Sequence, residues 1–487
     1  MRILVFLLFC LSCTTCTPPP EGGEADDPAL RDKITRIENG LQPRLQIIGF
    51  DVPKYNVDER LQELGIPGLS VAVLRNGEVE WARGYGMADS TDNRPVTPET
   101  LFQAGSISKP VAATSAMQLF ERGVLDLDAN VNDYLSSWRV PDNEFTTREK
   151  VTTRRLLTHT AGLTVHGFPG YPRGAVLPSV PDILDGRGNT DPVRVFREPG
   201  AGYKYSGGGY TIMQQLVADL EQRPFATVME DRVLSPLGMS SSTFENPLPQ
   251  RYHARAAAGY YTDGSVVAGN WHVYPEMAAA GLWTTPSELL LWANAIQEVQ
   301  QSQEDGFLKV GTVTEMLRPD DNDMGLGPYV VEDYFGHGGA DEGFRAELMI
   351  WKDMPIAVAV MSNSDAGSTI IWEMLLSIAE EYDLPGINPR TRTFAAQTPE
   401  ALARFAGQYR LGDGGDGSIV VKDDGLTFSS DFFSTGSVYL LPESDHTFFN
   451  KQSGTYYEFL LEEEVVTGVQ FAGQHAKKML VEEPRSE

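Results

Sequence analysis

The stretch Gly105-Ser106-Ile107-Ser108-Lys109-Pro110 puts a lysine three residues after a serine, where a helix is due to start. Pro110 fits only the first turn of a helix, where its missing N–H costs no hydrogen bond. Pro110 to Arg122 has a helical pattern, and Gly123 stops it. Positions three apart share a helix face, so the Lys109 ammonium can reach the Ser106 hydroxyl. That is one arrangement for an activated nucleophile. In the opening turn the Ser106 N–H also has no helical partner and can donate to a developing oxyanion. Ser106 opens the only S-x-x-K in the chain, although about one or two such matches arise by chance at this length. The apolar stripe Ala112, Ala116, Leu119 and Phe120 suits a helix buried among others.

Outward from this helix, strands flank the chain on both sides. Leu69 to Leu74 reads as a buried strand, Asn76-Gly77 as a tight turn, and Glu78 to Ala82 as the returning strand. Residues 345–361 read as two more strands around Lys352-Asp353. Helical patterns cover Ala29–Leu41, Tyr210–Glu221 and Pro286–Glu298. The expected fold class is α+β. One antiparallel sheet is shared by the N- and C-terminal parts, is flanked by helices, and has a helical region inserted between. Residues 124–200 are rich in Pro and Gly, as loops around a site are.

From about Thr398 the texture changes. Short alternating strands are expected at Ser418–Lys422, Leu426–Ser429, Val438–Leu441, Thr447–Asn450, Tyr456–Leu461, Val466–Phe471 and Lys478–Val481, with turns at Asp424-Gly425 and Thr467-Gly468. They predict a small all-β, barrel-like domain. The expected division is 1–28 as signal and tether, 29–390 as the main domain, and 398–487 as the barrel.

Composition excludes several classes. The net charge of −28 over 487 residues repels nucleic acid and anionic membrane surfaces. Cys10, Cys13 and Cys16 are the only cysteines, so the body has no disulfide, thiolate metal site or thiol nucleophile. Neither H-E-x-x-H nor G-x-S-x-G occurs. No metal and no cofactor is expected. The apolar run Ile3–Leu11 after Arg2 reads as the core of a secretory signal. Leu11-Ser12-Cys13 resembles a lipoprotein cleavage site, with Cys13 the better candidate for lipidation, Cys16 the runner-up, and a plain cleaved signal the alternative. Pro18 to Asp27 reads as a tether. Cell envelope or periplasm is therefore the expected location, with the lipid anchor as the only membrane contact. Oligomeric state is open.

Two further clusters can join the serine. In Tyr203-Lys204-Tyr205-Ser206-Gly207-Gly208-Gly209-Tyr210, glycines allow close backbone approach, and a tyrosine beside Lys109 can serve as a base. The alternative is a Gly-rich turn with tyrosines as packing. Phe335-Gly336-His337-Gly338-Gly339-Ala340 suits a strand edge where a ligand docks against backbone N–H groups. A lone histidine there is also compatible with a purely structural role.

Taken with these clusters, the chain resembles the serine β-lactamase-like hydrolases: class C β-lactamases, D-alanyl-D-alanine carboxypeptidases, D-aminopeptidases and related esterases. The resemblance rests on Val96 to Phe102 before Ser106, Arg155-Leu-Leu-Thr-His-Thr-Ala-Gly-Leu163, Pro199-Gly200 leading into Tyr205-Ser206-Gly207, Ser235-Pro-Leu-Gly-Met239, and His337-Gly338-Gly339 at the K-T-G position. It spans about residues 55 to 380, in family order. It implies an antiparallel sheet of five or more strands with an all-helical lobe, and its β-rich tail is similar to the lipocalin-like domains appended to this family.

By the resemblance, Ser106 is acylated, and Lys109 and Tyr205 share the acid–base work. The Ser106 and Ala340 N–H groups form the oxyanion hole. Gly207, His337, Gly338 and Gly339 contact an ester, amide or D-amino-acid peptide substrate. Loops 138–150, 164–195 and 320–335 are the expected pocket walls. Gly207 replaces an amide-bearing Asn and His337 replaces Lys, which lowers the expectation of β-lactamase activity. His159 falls in a structural segment. A catalytically silent binding protein of the same fold is the alternative function.

Overall fold

The computed structural model describes residues 27–479, apart from 413–414, 431–432 and 434–435. The lipidation candidates Cys13 and Cys16 lie outside the described residues.

A seven-stranded sheet organises the chain: β1 (Gly68–Arg75), β2 (Glu78–Asp89), β3 (Arg94–Pro95), β4 (Tyr329–Val330), β5 (Tyr334–Asp341), β6 (Phe344–Trp351) and β7 (Ile356–Ser362). Its order is β3-β2-β1-β7-β6-β5-β4, and neighbours run antiparallel. Asn76 (φ 51°) and Gly77 (φ 85°) close the first hairpin with two left-handed residues, the turn whose twist matches paired strands. The early and late parts of the chain meet mid-sheet, where β1 pairs β7 with Val71 opposite Val360.

Five long helices matter here: α1 (Pro28–Glu38), α2 (Ser108–Glu121), α3 (Gly207–Glu221), α4 (Pro286–Ser302) and α5 (Ser368–Tyr382). Central strands are apolar on both faces because helices cover both. Val71, Val73, Val358 and Val360 pack with α1 and α5. Ala72, Leu74, Ala357 and Ala359 join the larger core that holds α2, α3 and α4. Every residue of α2 from Ser108 to Met117 is buried, which accounts for its lack of a polar face.

Two helices are longer than their patterns predict. α4 continues to Ser302. α3 starts at Gly207 rather than Tyr210, because the Ser206 hydroxyl caps it by accepting the Gly209 N–H at 3.1 Å. A β-carbon on Gly208 would sit 2.8 Å from Val193, so glycine is what this packing admits.

The C-terminal part is a closed eight-stranded antiparallel barrel: β8 (Gly407–Leu411), β9 (Gly415–Lys422), β10 (Gly425–Ser430), β11 (Ser437–Pro442), β12 (Thr447–Asn450), β13 (Tyr456–Glu462), β14 (Val465–Phe471) and β15 (Gln474–Lys478). Buried aromatics fill it, among them Phe405, Tyr409, Phe428, Phe448 and Phe459. Three readings are corrected. Strand β8 escaped notice. Among the described residues the last strand is Gln474–Lys478, starting before the expected Lys478, and positions 480 and 481 of the expected Lys478–Val481 lie outside the described residues. Thr467-Gly468 lies inside β14, and the turn falls at Glu463 and Glu464 (φ 47° and 70°). Gly468 is a strand glycine beside a register shift at Leu460/Leu461, a pattern that mimics a turn in sequence.

Candidate active site

The turn bearing Ser106 touches strand β5 backbone to backbone. Gly105 (φ 51°) lies so close that a β-carbon on it would fall 2.5 Å from the Ala340 nitrogen. A β-carbon on Gly339 would fall 2.0 Å from the Ala104 carbonyl oxygen. Two glycines therefore let a short 3₁₀ turn, Gly105–Ile107, press against the strand and place the Ala340 N–H beside the serine. Strand β4 pairs only with Phe335 and Gly336, so among the described residues the outer edge of β5 from His337 onward has no strand neighbour.

Lys109 is buried, with 2% of its surface exposed. Its Nζ donates to Ser106 Oγ at 2.8 Å and to the Ala279 carbonyl at 2.8 Å. The Tyr205 ring centre lies 4.9 Å from the same nitrogen. Ser106, Lys109, Tyr205, Gly207, His337, Gly338, Gly339 and Ala340 all line one cavity of about 700 Å³.

Two departures from the family pattern have visible causes. At Gly207 a β-carbon would sit 3.1 Å from both the His166 carbonyl and the Phe168 ring. The loop at His166–Phe168 thus occupies the space an Asn side chain needs, and its His166 carbonyl accepts the Gly207 N–H at 2.9 Å. His337 is buried, and its Nδ1–H donates to the Gly338 carbonyl at 2.6 Å. Burial and the Lys109 charge push its pKa down to about 4, so it is neutral near pH ~7. It supplies no fixed positive charge there.

Several groups were not legible in sequence. Asp341 follows the glycine strand, faces the Gly105 N–H, and is held well above the usual carboxylate range by burial. Its Oδ2 is buried without a hydrogen-bond partner among the described residues. On the cavity wall, Arg345 of β6, opposite Ala340, pairs with Asp365 at 2.9 Å. There Glu347 accepts from the Tyr329 hydroxyl at 2.8 Å and is pushed up to about 7 by burial. Glu276 sits just before the short helix Met277–Ala280 that carries the Ala279 carbonyl. It is fully buried, neither carboxyl oxygen has a hydrogen-bond partner among the described residues, and burial pushes it up to about 7. Of the loops expected to wall the cavity, 164–195 contributes His166, Gly167 and Phe168. Among the described residues 138–150 and 320–335 contribute nothing.

Residues 54–373 match the family described as Beta-lactamase. A chain from Bacillus subtilis (strain 168), named provisionally as penicillin-binding protein PbpX, is 26% identical over 312 residues, covering 63% of this chain and 73% of that one. Esterase EstB of Burkholderia gladioli is 30% identical over 203 residues, covering 40% of this chain and 51% of the esterase. Among solved structures, the octameric penicillin-binding protein homologue from Pyrococcus abyssi superposes with a TM-score of 0.59 at 21% identity, over 86% of this chain and 98% of that one.

Two predictions follow from the geometry. Gly339→Ala must drive β5 away from the serine turn. Overpacking of this kind costs about 1–3 kcal/mol, and thermal unfolding should show the loss alongside a fall in turnover. Glu276→Gln tests the buried carboxyl. Unfolded Glu titrates near ~4.3 and folded Glu276 at about 7. The folded state therefore binds the proton more tightly, and this residue lowers stability progressively as pH rises through that window. The stability advantage of Glu276→Gln over the parent should grow by on the order of 3 kcal/mol between about pH 4 and about pH 8, read from denaturant unfolding.

Proposed function

The chain belongs to the beta-lactamase family, and from that premise we propose that it is a serine hydrolase that cleaves ester or amide bonds through an acyl-enzyme on Ser106. The observation that carries the reading is the 2.8 Å contact between Lys109 Nζ and Ser106 Oγ inside a cavity that also holds Tyr205.

The steps run as follows. Ser106 Oγ attacks the substrate carbonyl carbon while its proton passes to the Lys109–Tyr205 pair. Negative charge moves to the carbonyl oxygen, where the Ser106 and Ala340 N–H groups receive it. Collapse breaks the bond to the leaving alcohol or amine, which takes the proton from Tyr205. Water then attacks the acyl-Ser106 ester, delivers its proton back through the same pair, and releases the acid. Lys109 Nζ already donates to Ala279 and Ser106 and lies 4.9 Å from the centre of the Tyr205 ring, so it is placed to stabilise negative charge that forms in this part of the cavity.

Substrate preference follows from the two replaced residues. Without an Asn amide at 207 the site has one partner fewer for the acylamide of a peptide or β-lactam. A neutral His337 grips a carboxylate less firmly than a lysine does. Short acyl esters are therefore the preferred class, in keeping with the esterase among the relatives. We further place the protein in the cell envelope, held by a lipid on Cys13. Support comes from the apolar run and the cysteine that follows it. Among the described residues no helix is long and apolar enough to cross a membrane.

A fluorophosphonate probe followed by peptide mass spectrometry should label Ser106, with short acyl esters turned over faster than a chromogenic cephalosporin. An unlabelled Ser106 in folded protein would overturn the reading. Tyr205→Phe should lower kcat at least ~100-fold, as expected for a positioned acid–base group. A change within a few-fold would remove the phenol from the scheme.

A further inference from the structure

We propose that His159 is the positioning residue for Tyr205, gripping the chain on both sides of the tyrosine and supporting its ring from below. This rests on the acyl-enzyme reading, in which Tyr205 moves the proton. Three contacts carry it. The Lys204 N–H donates to the His159 carbonyl at 2.9 Å. The Ser206 N–H donates to His159 Nδ1 at 3.1 Å. The imidazole stacks on the Tyr205 ring with centres 4.1 Å apart and planes 30° from parallel. One residue thus fixes the backbone immediately before Tyr205, the backbone immediately after it, and the face of the phenol.

The histidine's own conformation fits this task. Its φ of 59° is left-handed, which is uncommon for a residue with a β-carbon. That conformation occurs at the end of the helix Thr153–Leu157, where the chain turns back toward the 203–206 segment. The side chain is buried. Burial and the Lys109 charge hold the ring well below the usual histidine range, with His337 and His166 as further titratable neighbours. The ring is therefore neutral. With Nδ1 accepting, its proton sits on Nε2, which is buried and has no partner among the described residues. A charged imidazolium would lose the lone pair that holds Ser206.

Direct catalysis is excluded by the same contacts. Nδ1 is occupied by the Ser206 N–H, and the ring is not part of the cavity lining. Any effect of His159 on the reaction has to pass through Tyr205.

A double-mutant cycle separates this from general structural support. Asn tolerates the left-handed conformation, so His159→Asn removes the ring with least disturbance of the backbone. The four proteins are the parent, His159→Asn, Tyr205→Phe and the double variant. Turnover of a short acyl ester is measured per Ser106 labelled to completion by fluorophosphonate, so unfolded copies do not enter the rate. His159→Asn should lower kcat by about ten-fold or more with KM changed less than about three-fold. Combined with Tyr205→Phe it should add less than about three-fold, because the phenol it positions is already gone. Two results overturn the inference: a kcat for His159→Asn within two-fold of the parent, or equal losses in the presence and absence of the phenol. If Tyr205→Phe itself changes kcat by only a few-fold, the acyl-enzyme scheme fails at Tyr205, and that result is distinguishable from either of these.

Discussion

The site depends on one close approach, in which the serine turn lies against strand β5 with no side chain between them. Gly105 and Gly339 are the two positions where a β-carbon would strike the opposing backbone, at 2.5 Å and 2.0 Å. The contact joins Ser106, the nucleophile of the proposed scheme, to the strand that carries His337 and Ala340. Sheet order makes it possible. Because β4 covers only Phe335 and Gly336, the edge of β5 is left to the turn and to whatever enters the cavity. The buried helix α2 fixes the other side, since nearly every one of its faces is packed. A nucleophile held this way gives up little freedom when it reacts, which is the condition for electrostatic stabilisation to be effective.

Charge is sparing around that contact. Lys109 sits among groups that burial keeps neutral: His159 and His337 lie well below the usual histidine range, and Asp341 lies above the carboxylate range. Arg345, the other cation of the cavity wall, is neutralised by Asp365. Negative charge forming on a substrate oxygen or on a phenol therefore meets the ammonium with few competing anions nearby. Lys109 is buried, and there such a field acts more strongly than in water. The two unsatisfied oxygens of Glu276 are the cost on the same ledger, since a buried carboxyl without partners is tolerated only by shifting toward its neutral form.

Sequence made the local parts of this arrangement legible and hid the distant ones. Ser106 and Lys109 are three apart, so a helix rule alone brings them together. Tyr205 and His337 were visible because glycines mark close backbone approach, and the structure places both in the same cavity. The β1–β2 hairpin announced itself through Asn76-Gly77, whereas the turn at Glu463-Glu464 uses residues that seldom turn left-handed, and Gly468 drew the reading to the wrong place. Glu276, Asp341 and Glu347 carried no signal. An acidic residue in sequence reads as surface, and only long-range packing shows that these three are enclosed.

The two replacements in the family motifs are best understood together rather than as separate losses. At Gly207 the loop at His166–Phe168 lies so close that a β-carbon would meet it at 3.1 Å, and the same loop brings His166 to 4.8 Å from the Tyr205 ring. His337 stands on the other side of the same tyrosine, 6.3 Å away. Tyr205 thus has three imidazoles around it, His159 stacked on its ring, His166 and His337, while Gly207 stands where the family pattern has an amide and His337 where it has an ammonium. That exchange removes fixed hydrogen-bond partners for substrate while leaving the 2.8 Å Lys109–Ser106 contact intact. On the proposed acyl-enzyme reading, a site altered in this way keeps its chemistry and relaxes its recognition, which favours small acyl groups that need little gripping over peptides and lactams that need much.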